Sequence, residues 1–568
     1  MIPSGPENAT VMIVGAQPSI NDLRQNLPFA GNSGAELHKM LHEAGFIAAD
    51  CFLTYVSLKR LTTNEKLLFA KNKTEAAKAG LTSLFGQYPT TPLVVALEEF
   101  NQTVERVQPN LIIALGETAL WATTGNSGIT KWRGSVLKGL TGVKVIPTYA
   151  PDKVCIKWDW RWIAVQDLRR AFRESLYPEI QVPPYNFTIR PSLETVVQWI
   201  QNRLIMAVGR PHVDSNERSP ATPGVVTPLL LSVDIETRAG HIECLAIADS
   251  IHDAICIPLM TRDNHLGYWN IEEEIMIVLM LRELLTHPNV QVLGQNFLYD
   301  AQYIAKHWGF LPNVQHDTMY EHHVAFAGLP KGLDFLSSLY CDYHLYWKED
   351  AKGYDPNITD DDRWIYNCKD AVITLECHHA IQMTLTAFNL EQQAKMQMRM
   401  FRPLLRMMLR GTRFNMKERD RMGPDLMMAS AAREQYLLDV AGDLPETPKT
   451  KGAAPWHSSP TQLMKFLYTT LGLPQQRNRK TGKPTTDNPA LEKLKKKEPA
   501  LLQFFDAIIE LRSLGVFYKT FVRAPLDPDN RMRCSFNPAG TETYRLASSS
   551  DAFGYGTNLQ NIPKGNEL

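Results

Sequence analysis

Leu229-Leu230-Leu231-Ser232-Val233-Asp234-Ile235-Glu236-Thr237 decides how the rest of the chain is read. The run is apolar, too short for a typical helix and ends in two carboxylates, which describes a buried strand. Alternate strand residues point the same way, so Asp234 and Glu236 share one face at the strand's end. Two acids on one face repel unless a divalent ion lies between them, and water on such an ion becomes nucleophilic at neutral pH. An isolated Asp-x-Glu is usually an ordinary strand end, so the reading rests on the acids further along the chain.

Gly294-Gln295-Asn296-Phe297-Leu298-Tyr299-Asp300 follows a second apolar run and opens a helical pattern, which puts Asp300 near a helix N-terminus, where negative charge is tolerated. In Tyr366-Asn367-Cys368-Lys369-Asp370 a helix would stack Tyr366 and Asp370 on one face. Asp317-Thr318-Met319 lies between the two. Taken in order, Asp234-x-Glu236, Asn296-x-x-x-Asp300 and Tyr366-x-x-x-Asp370 resemble the three motifs of the proofreading 3′→5′ exonuclease domain of family A DNA polymerases.

The resemblance implies an RNase H-like α/β exonuclease domain that uses two Mg²⁺ or Mn²⁺ ions. Asp234, Glu236 and Asp370 would hold the metals, Asp300 would support the second, and Tyr366 with Glu236 would orient the attacking water. Hard carboxylate oxygens suit these ions. Asn296 and Asp317 are expected either to contact DNA or to serve as structural hydrogen-bonding residues.

Composition neither adds to this nor opposes it. Lys plus Arg equals Asp plus Glu at 60 each, so any DNA binding must come from local patches. The eight cysteines are scattered, without the short paired spacings of a zinc site or an iron-sulfur cluster. No apolar run is long enough to span a bilayer and the N-terminus does not read as a signal peptide, so the expected setting is a reducing cytoplasm, that of a bacterial host if the chain is phage-encoded.

Towards the N-terminus, Val11-Met12-Ile13-Val14-Gly15 and Leu111-Ile112-Ile113-Ala114-Leu115-Gly116 are short apolar runs ending in glycine, separated by helical segments. They indicate a doubly wound α/β domain over residues 1–178, with ligands expected at the carboxyl ends of its strands. Gly15-Ala16-Gln17-Pro18-Ser19 with Pro28-Phe29-Ala30-Gly31-Asn32-Ser33-Gly34, and Thr148-Tyr149-Ala150-Pro151, resemble the first and last motifs of iron-sulfur uracil-DNA glycosylases. The family has an acidic residue where Ala16 stands, a histidine at Ala150 and a base-reading asparagine at Tyr55. Phe29 matches its stacking aromatic. An alanine methyl cannot stabilise the charges that develop when a glycosidic bond breaks, so an inactive glycosylase-like domain without a cluster is expected.

Residues 179–382 are assigned to the exonuclease domain, with a flexible Pro-, Ser- and Gly-rich loop at 207–228. Helical patterns follow at 390–410, 417–441, 460–471 and 489–521, the last with Asn488 as N-cap. Residues 383–536 resemble a mainly helical polymerase thumb, and 537–568, with Thr543-Tyr544-Arg545 and Asn558-Leu559-Gln560-Asn561-Ile562-Pro563, resemble the start of the palm. Arg545 and Gln560 would face primer-template by similarity. The basic loop Arg477, Arg479, Lys480 and Lys483 is expected to contact phosphates.

Read this way, the chain is an α/β multidomain DNA-binding exonuclease portion of a family A polymerase. Palm aspartates and finger helix are not expected before Leu568, so the sequence is expected to be either a truncated piece of a phage-type family A polymerase or one half of a split enzyme whose palm and fingers are a second polypeptide. A non-catalytic assembly subunit and an active uracil-DNA glycosylase are the alternatives.

Overall fold

The computed structural model describes residues 2–208, 228–262, 267–349, 358–441, 456–479, 481–562. Lys480, Pro563 and nearly all of the 207–228 loop fall outside the described residues. The chain divides into two compact units: residues 1–401 with 541–544, and 402–540 with 545–568.

The first unit contains two sheets. Strands β1 (Val11–Gly15), β2 (Phe52–Tyr55), β3 (Leu111–Leu115), β4 (Leu137–Lys138) and β5 (Lys144–Thr148) form a sheet in the order β2-β1-β3-β5-β4, parallel except for β4. Strand alternation splits its side chains between two cores. Ile13, Leu53, Ile113 and Ile146 pack against helices Asn32–Ala44 and Trp160–Glu174. Met12, Phe52, Ile112 and Val145 pack against helices Thr91–Val107 and Glu117–Thr124. With both faces covered, the strands read as continuous apolar runs.

The second sheet contains β6 (Asn186–Thr188), β7 (Leu229–Arg238), β8 (His241–Ala248), β9 (Asp253–Pro258), β10 (Val290–Gly294) and β11 (Val314–Asp317), in the order β11-β10-β7-β8-β9-β6. β7, β8 and β9 are antiparallel neighbours, while β10 runs parallel to β7 and β11 to β10. The long helix Asp360–Ala387 starts from a Thr359 capping box and lays Trp364, Cys368, Ala371 and Val372 on Cys244, Ala246 and Cys256. It runs past residue 382, and Ala394 of the next helix, Glu391–Met398, joins the same core. The compact unit, which includes both sheets, closes at Phe401.

The second unit is mainly helical. Its core joins Leu437 of helix Met416–Ala441 to Leu463, Leu491, Phe504, Phe505 and Ile508. The pattern at 489–521 is not one helix. It breaks between Asn488–Lys497 and Leu502–Phe517, because Pro499 has no amide hydrogen and its ring opposes continuation of the first helix. The N-cap is Asp487, whose side chain accepts from Ala490 N–H, with Asn488 already inside the helix. The 390–410 pattern likewise divides at Arg399 and Met400, since Pro403 is accommodated in the first turn of a new helix, Phe401–Arg410.

Candidate nuclease active site

β7 and the long helix meet as a ladder. Ser232 Oγ donates to Ala371 O at 2.7 Å, Asn367 Nδ2 donates to Asp234 Oδ2 at 2.7 Å, and Arg363 lies 3.7 Å from Glu236 Oε2. Two strand residues advance about 6.7 Å and four helical residues about 6 Å, so the rungs stay in step over three contacts. The same helix turn projects Asp370 into the site. Carboxylate oxygens of Asp234, Glu236 and Asp370 lie within 4.8 Å of one another.

Asp300, at the start of helix Leu298–Trp308, stands behind them. Its Oδ1 accepts the Ile235 amide at 3.1 Å, tying it to the backbone between the two β7 acids. Gly294 allows the intervening turn, because a Cβ there would lie 2.2 Å from the Phe297 ring. Burial, followed by repulsion from Asp370, Asp300 and Glu236, holds the Asp234 carboxyl well above the usual range. Burial and Asp370 push Glu236 up to about 7. An acid cluster strained by its own charge, with hard oxygens converging, fits divalent cations.

Tyr366 and Asp370 share a helix face, and Lys348 joins them: its Nζ donates to Tyr366 Oη at 2.9 Å and to Asp370 Oδ2 at 2.6 Å. Trp347 Nε1 donates to Asp370 Oδ1 at 2.7 Å. Burial works against charge on Lys348, but Asp370 and Tyr366 outweigh it and keep the amine protonated. Lys348, Trp347, Asn367 and Arg363 were not singled out from sequence. Arg363 and Asn367 carried a signal, since they precede Ala371 at four-residue steps on the helix that bears Asp370. Lys348 and Trp347 carried none, because their partner Asp370 lies 22 and 23 residues away in sequence, beyond the reach of any local pattern.

Of the two roles expected for Asp317, the geometry matches the structural one: it is fully buried and accepts the amides of Asn296 at 3.1 Å, Phe297 at 2.8 Å and Met319 at 2.9 Å, bracing the loop before Asp300. Asn296 is exposed, with a left-handed backbone at φ 56°. In the second unit Arg477, Arg479, Lys483, Arg545 and Gln560 are exposed, and Arg477 also bonds the Gly482 carbonyl of its own loop.

At the carboxyl edge of the N-terminal sheet, Tyr55 is buried against Phe29 and Gly15. Its ring centroid is 4.8 Å from that of Phe29, and a Cβ on Gly15 would meet it at 2.8 Å. Tyr55 Oη donates to Asp22 at 2.9 Å and accepts from the Phe29 amide at 3.0 Å. Ala16 is buried beside this edge, and Ala150 packs where a Gly116 Cβ would approach it to 2.9 Å.

Residues 2–174 match the uracil DNA glycosylase superfamily, 225–386 match the 3′–5′ exonuclease family, and 449–568 match DNA polymerase family A. The chain joins a glycosylase-like domain to an exonuclease domain and a family A polymerase segment. A DNA polymerase I of Pseudomonas aeruginosa is 26% identical over 352 residues, covering 58% of this chain and 36% of that protein. One from Synechocystis is 40% identical over 111 residues, or 19% of this chain and 10% of its own length. A type-4 uracil-DNA glycosylase of Thermotoga maritima is 26% identical over 176 residues, 30% of this chain and 80% of the glycosylase. The chain thus spans 36% or less of the length of these polymerases. No helix among the described residues is long and apolar enough to cross a membrane.

Proposed function

We propose that this chain trims DNA from the 3′ end as the proofreading exonuclease portion of a family A DNA polymerase used in replication. The observation that carries the reading is the convergence of Asp234, Glu236 and Asp370 within 4.8 Å at the end of β7. Two Mg²⁺ or Mn²⁺ ions would be held by these carboxylates, with Asp300 supporting the second, and when bound they would polarise the scissile phosphate and lower the pKa of a water. Tyr366 and Glu236 orient that water. Asn367 fixes the rotamer of Asp234, and Trp347 fixes that of Asp370. Arg363 beside Glu236 limits the charge the site accumulates before metal arrives.

Arg479, Lys483, Arg545 and Gln560 would hold the duplex. DNA is the proposed partner, with a second polypeptide carrying palm and fingers beside it if the enzyme is split, and the cytoplasm of a bacterium, as host to a phage or as source, is the proposed setting. The glycosylase-like domain is proposed to be inactive on uracil, its base cradle being filled by Tyr55.

The test uses labelled primer-template and uracil-containing oligonucleotides with the wild-type chain and Asp234→Ala. Wild type should shorten 3′ ends only with Mg²⁺ or Mn²⁺, and Asp234→Ala should not. Metal-independent trimming, or none, refutes the reading. Uracil release would refute the inactive assignment.

A further inference from the structure

The segment Asp342–Glu349 is fastened at one side to the glycosylase-like domain and ends in the acid cluster of the exonuclease. Val136 N–H donates to His344 O at 2.8 Å, Tyr346 N–H to Ser135 Oγ at 3.2 Å, and Arg170 Nε to Asp342 O at 3.3 Å. The Tyr346 ring lies 5.5 Å from that of Trp132, and Lys131 pairs with Glu349 at 2.5 Å. Arg170 is fully buried and also bonds the Ser338 and Cys341 carbonyls, at 2.8 and 2.6 Å, capping the helix Leu333–Tyr340 from which the strap leaves. Arg133 reaches Ser338 Oγ at 2.7 Å.

The exonuclease side holds the strap as well: Asp342 N–H donates to Glu376 Oε1 at 2.8 Å, His344 Nδ1 and Ser337 Oγ lie 2.7 Å apart, and Trp347 Nε1 donates to Asp370 Oδ1 at 2.7 Å. A cavity of about 190 Å³ lined by Val182, Tyr185, Tyr343, Leu345, Trp347 and Ile373 lies under it. The void removes packing contacts from part of the strap's exonuclease face. The position of Lys348 is therefore set from both sides, by these bonds and by the anchors at 131–136 and Arg170.

An ammonium has three protons and no lone pair. Lys348 gives one to Asp370 and one to Tyr366, so the phenol oxygen is an acceptor on that side and its own proton must point elsewhere. The phenol is thereby set as a donor for a water or phosphate oxygen in the site.

We propose that Lys348 is a positioning residue of the nuclease centre, and that the glycosylase-like domain, having lost its base chemistry, serves as the scaffold that holds Lys348 there through the 342–349 strap. This rests on the exonuclease reading above. It gives the N-terminal domain a role in the reaction without a DNA contact of its own.

The test compares the full-length wild type with Lys348→Met, Lys348→Arg and Trp132→Ala, using Lys131→Ala if Trp132→Ala does not fold. It measures kcat and KM for trimming a single-stranded oligonucleotide, thermal unfolding, and Mn²⁺ affinity by calorimetry. Lys348→Met should lower kcat about 10- to 100-fold, the scale of a lost orienting contact, with KM and Mn²⁺ affinity changed less than about threefold. Lys348→Arg should recover part of the loss. Trp132→Ala, remote from the acids, should lower kcat about threefold or more with KM unchanged. If Lys348→Met trims at the wild-type rate, with or without tighter Mn²⁺ binding, the ammonium only fills an empty centre and the proposal falls. A wild-type rate for the folded anchor variant overturns the scaffold role. Failure of wild type itself to trim refutes the exonuclease reading and this inference with it, which is distinguishable from a wild type that trims beside an unaffected Lys348→Met.

Discussion

Asn367 donates its amide hydrogen to Asp234 at 2.7 Å, and the same buried side chain accepts from the thiols of Cys244 and Cys256 at 3.5 and 3.8 Å. The amide therefore links β7, β8 and β9 to the long helix at the point where the first acid is held. Asn367→Leu should lower the trimming rate at saturating DNA about tenfold and cost about 1–3 kcal/mol in urea unfolding, because a buried acceptor on Asp234 is left unpaired. A variant with wild-type rate would show that Asp234 keeps its rotamer without this bond.

The acid cluster opposes folding until a cation relieves it. Burial and like charge raise both Asp234 and Glu236, so neutralising one acid should stabilise the metal-free protein. Asp234→Asn is expected to unfold at a higher temperature than wild type in chelator, by about 1 kcal/mol, while trimming falls at least about a thousandfold. Saturating Mn²⁺, at about 100 times its Kd, should stabilise wild type by about 2.7 kcal/mol and the variant by clearly less. Equal metal-induced shifts in the two proteins would place the cation elsewhere.

A second buried carboxylate has the opposite electrostatics. Glu321 accepts from His316 Nδ1 and His378 Nδ1, each at 2.8 Å. Burial works to raise it, but His378 and His316 outweigh burial and bring it down to about 2. A folded-state value below the unfolded one means that this group's stabilisation is present above the ordinary glutamate value of about 4.3 and is lost as pH falls through that window. Glu321→Gln should be less stable than wild type at pH 6, by on the order of 2 kcal/mol, and the gap should close towards pH 2. Acid-unfolding curves that keep a constant separation would contradict the pairing.

The basic loop of the second unit gives a prediction in salt. Arg479 and Lys483 are exposed, and Arg477 is partly engaged by its own loop. Replacing Arg479 and Lys483 by Gln should weaken primer-template binding about equally for all sequences and reduce the slope of log affinity against log salt by about 1 to 2. An unchanged slope would mean that these side chains face solvent in the complex.

Legibility followed the range of the interactions. Asp234, Glu236, Tyr366 and Asp370 could be read because strand and helix periodicities act within a few residues, and both α/β sheets showed through their apolar runs. Asp317 was ambiguous because an acid that braces three amides and an acid that meets DNA look alike in sequence. Lys348 reached its place through contacts distant in sequence that no local pattern encodes. Pro499 did mark a break in the helical pattern at 489–521, but the apolar stripe on either side concealed it.

Tyr55 makes the last prediction and tests whether the glycosylase-like domain retains any chemistry. Its hydroxyl both donates to Asp22 and accepts from Phe29 N–H, inside a core where its ring lies against Phe29. Tyr55→Phe should therefore cost about 1–2 kcal/mol, since it leaves the Phe29 amide and one Asp22 oxygen short of a partner. Tyr55→Asn would restore a base-reading amide and open the cradle, but Ala16 and Ala150 still offer nothing to activate water or to receive charge from a departing base. Both variants and wild type should leave a uracil-containing oligonucleotide intact under conditions where an active glycosylase excises it. Release by Tyr55→Asn alone would show that the ring was the only obstacle and that the two alanines are not.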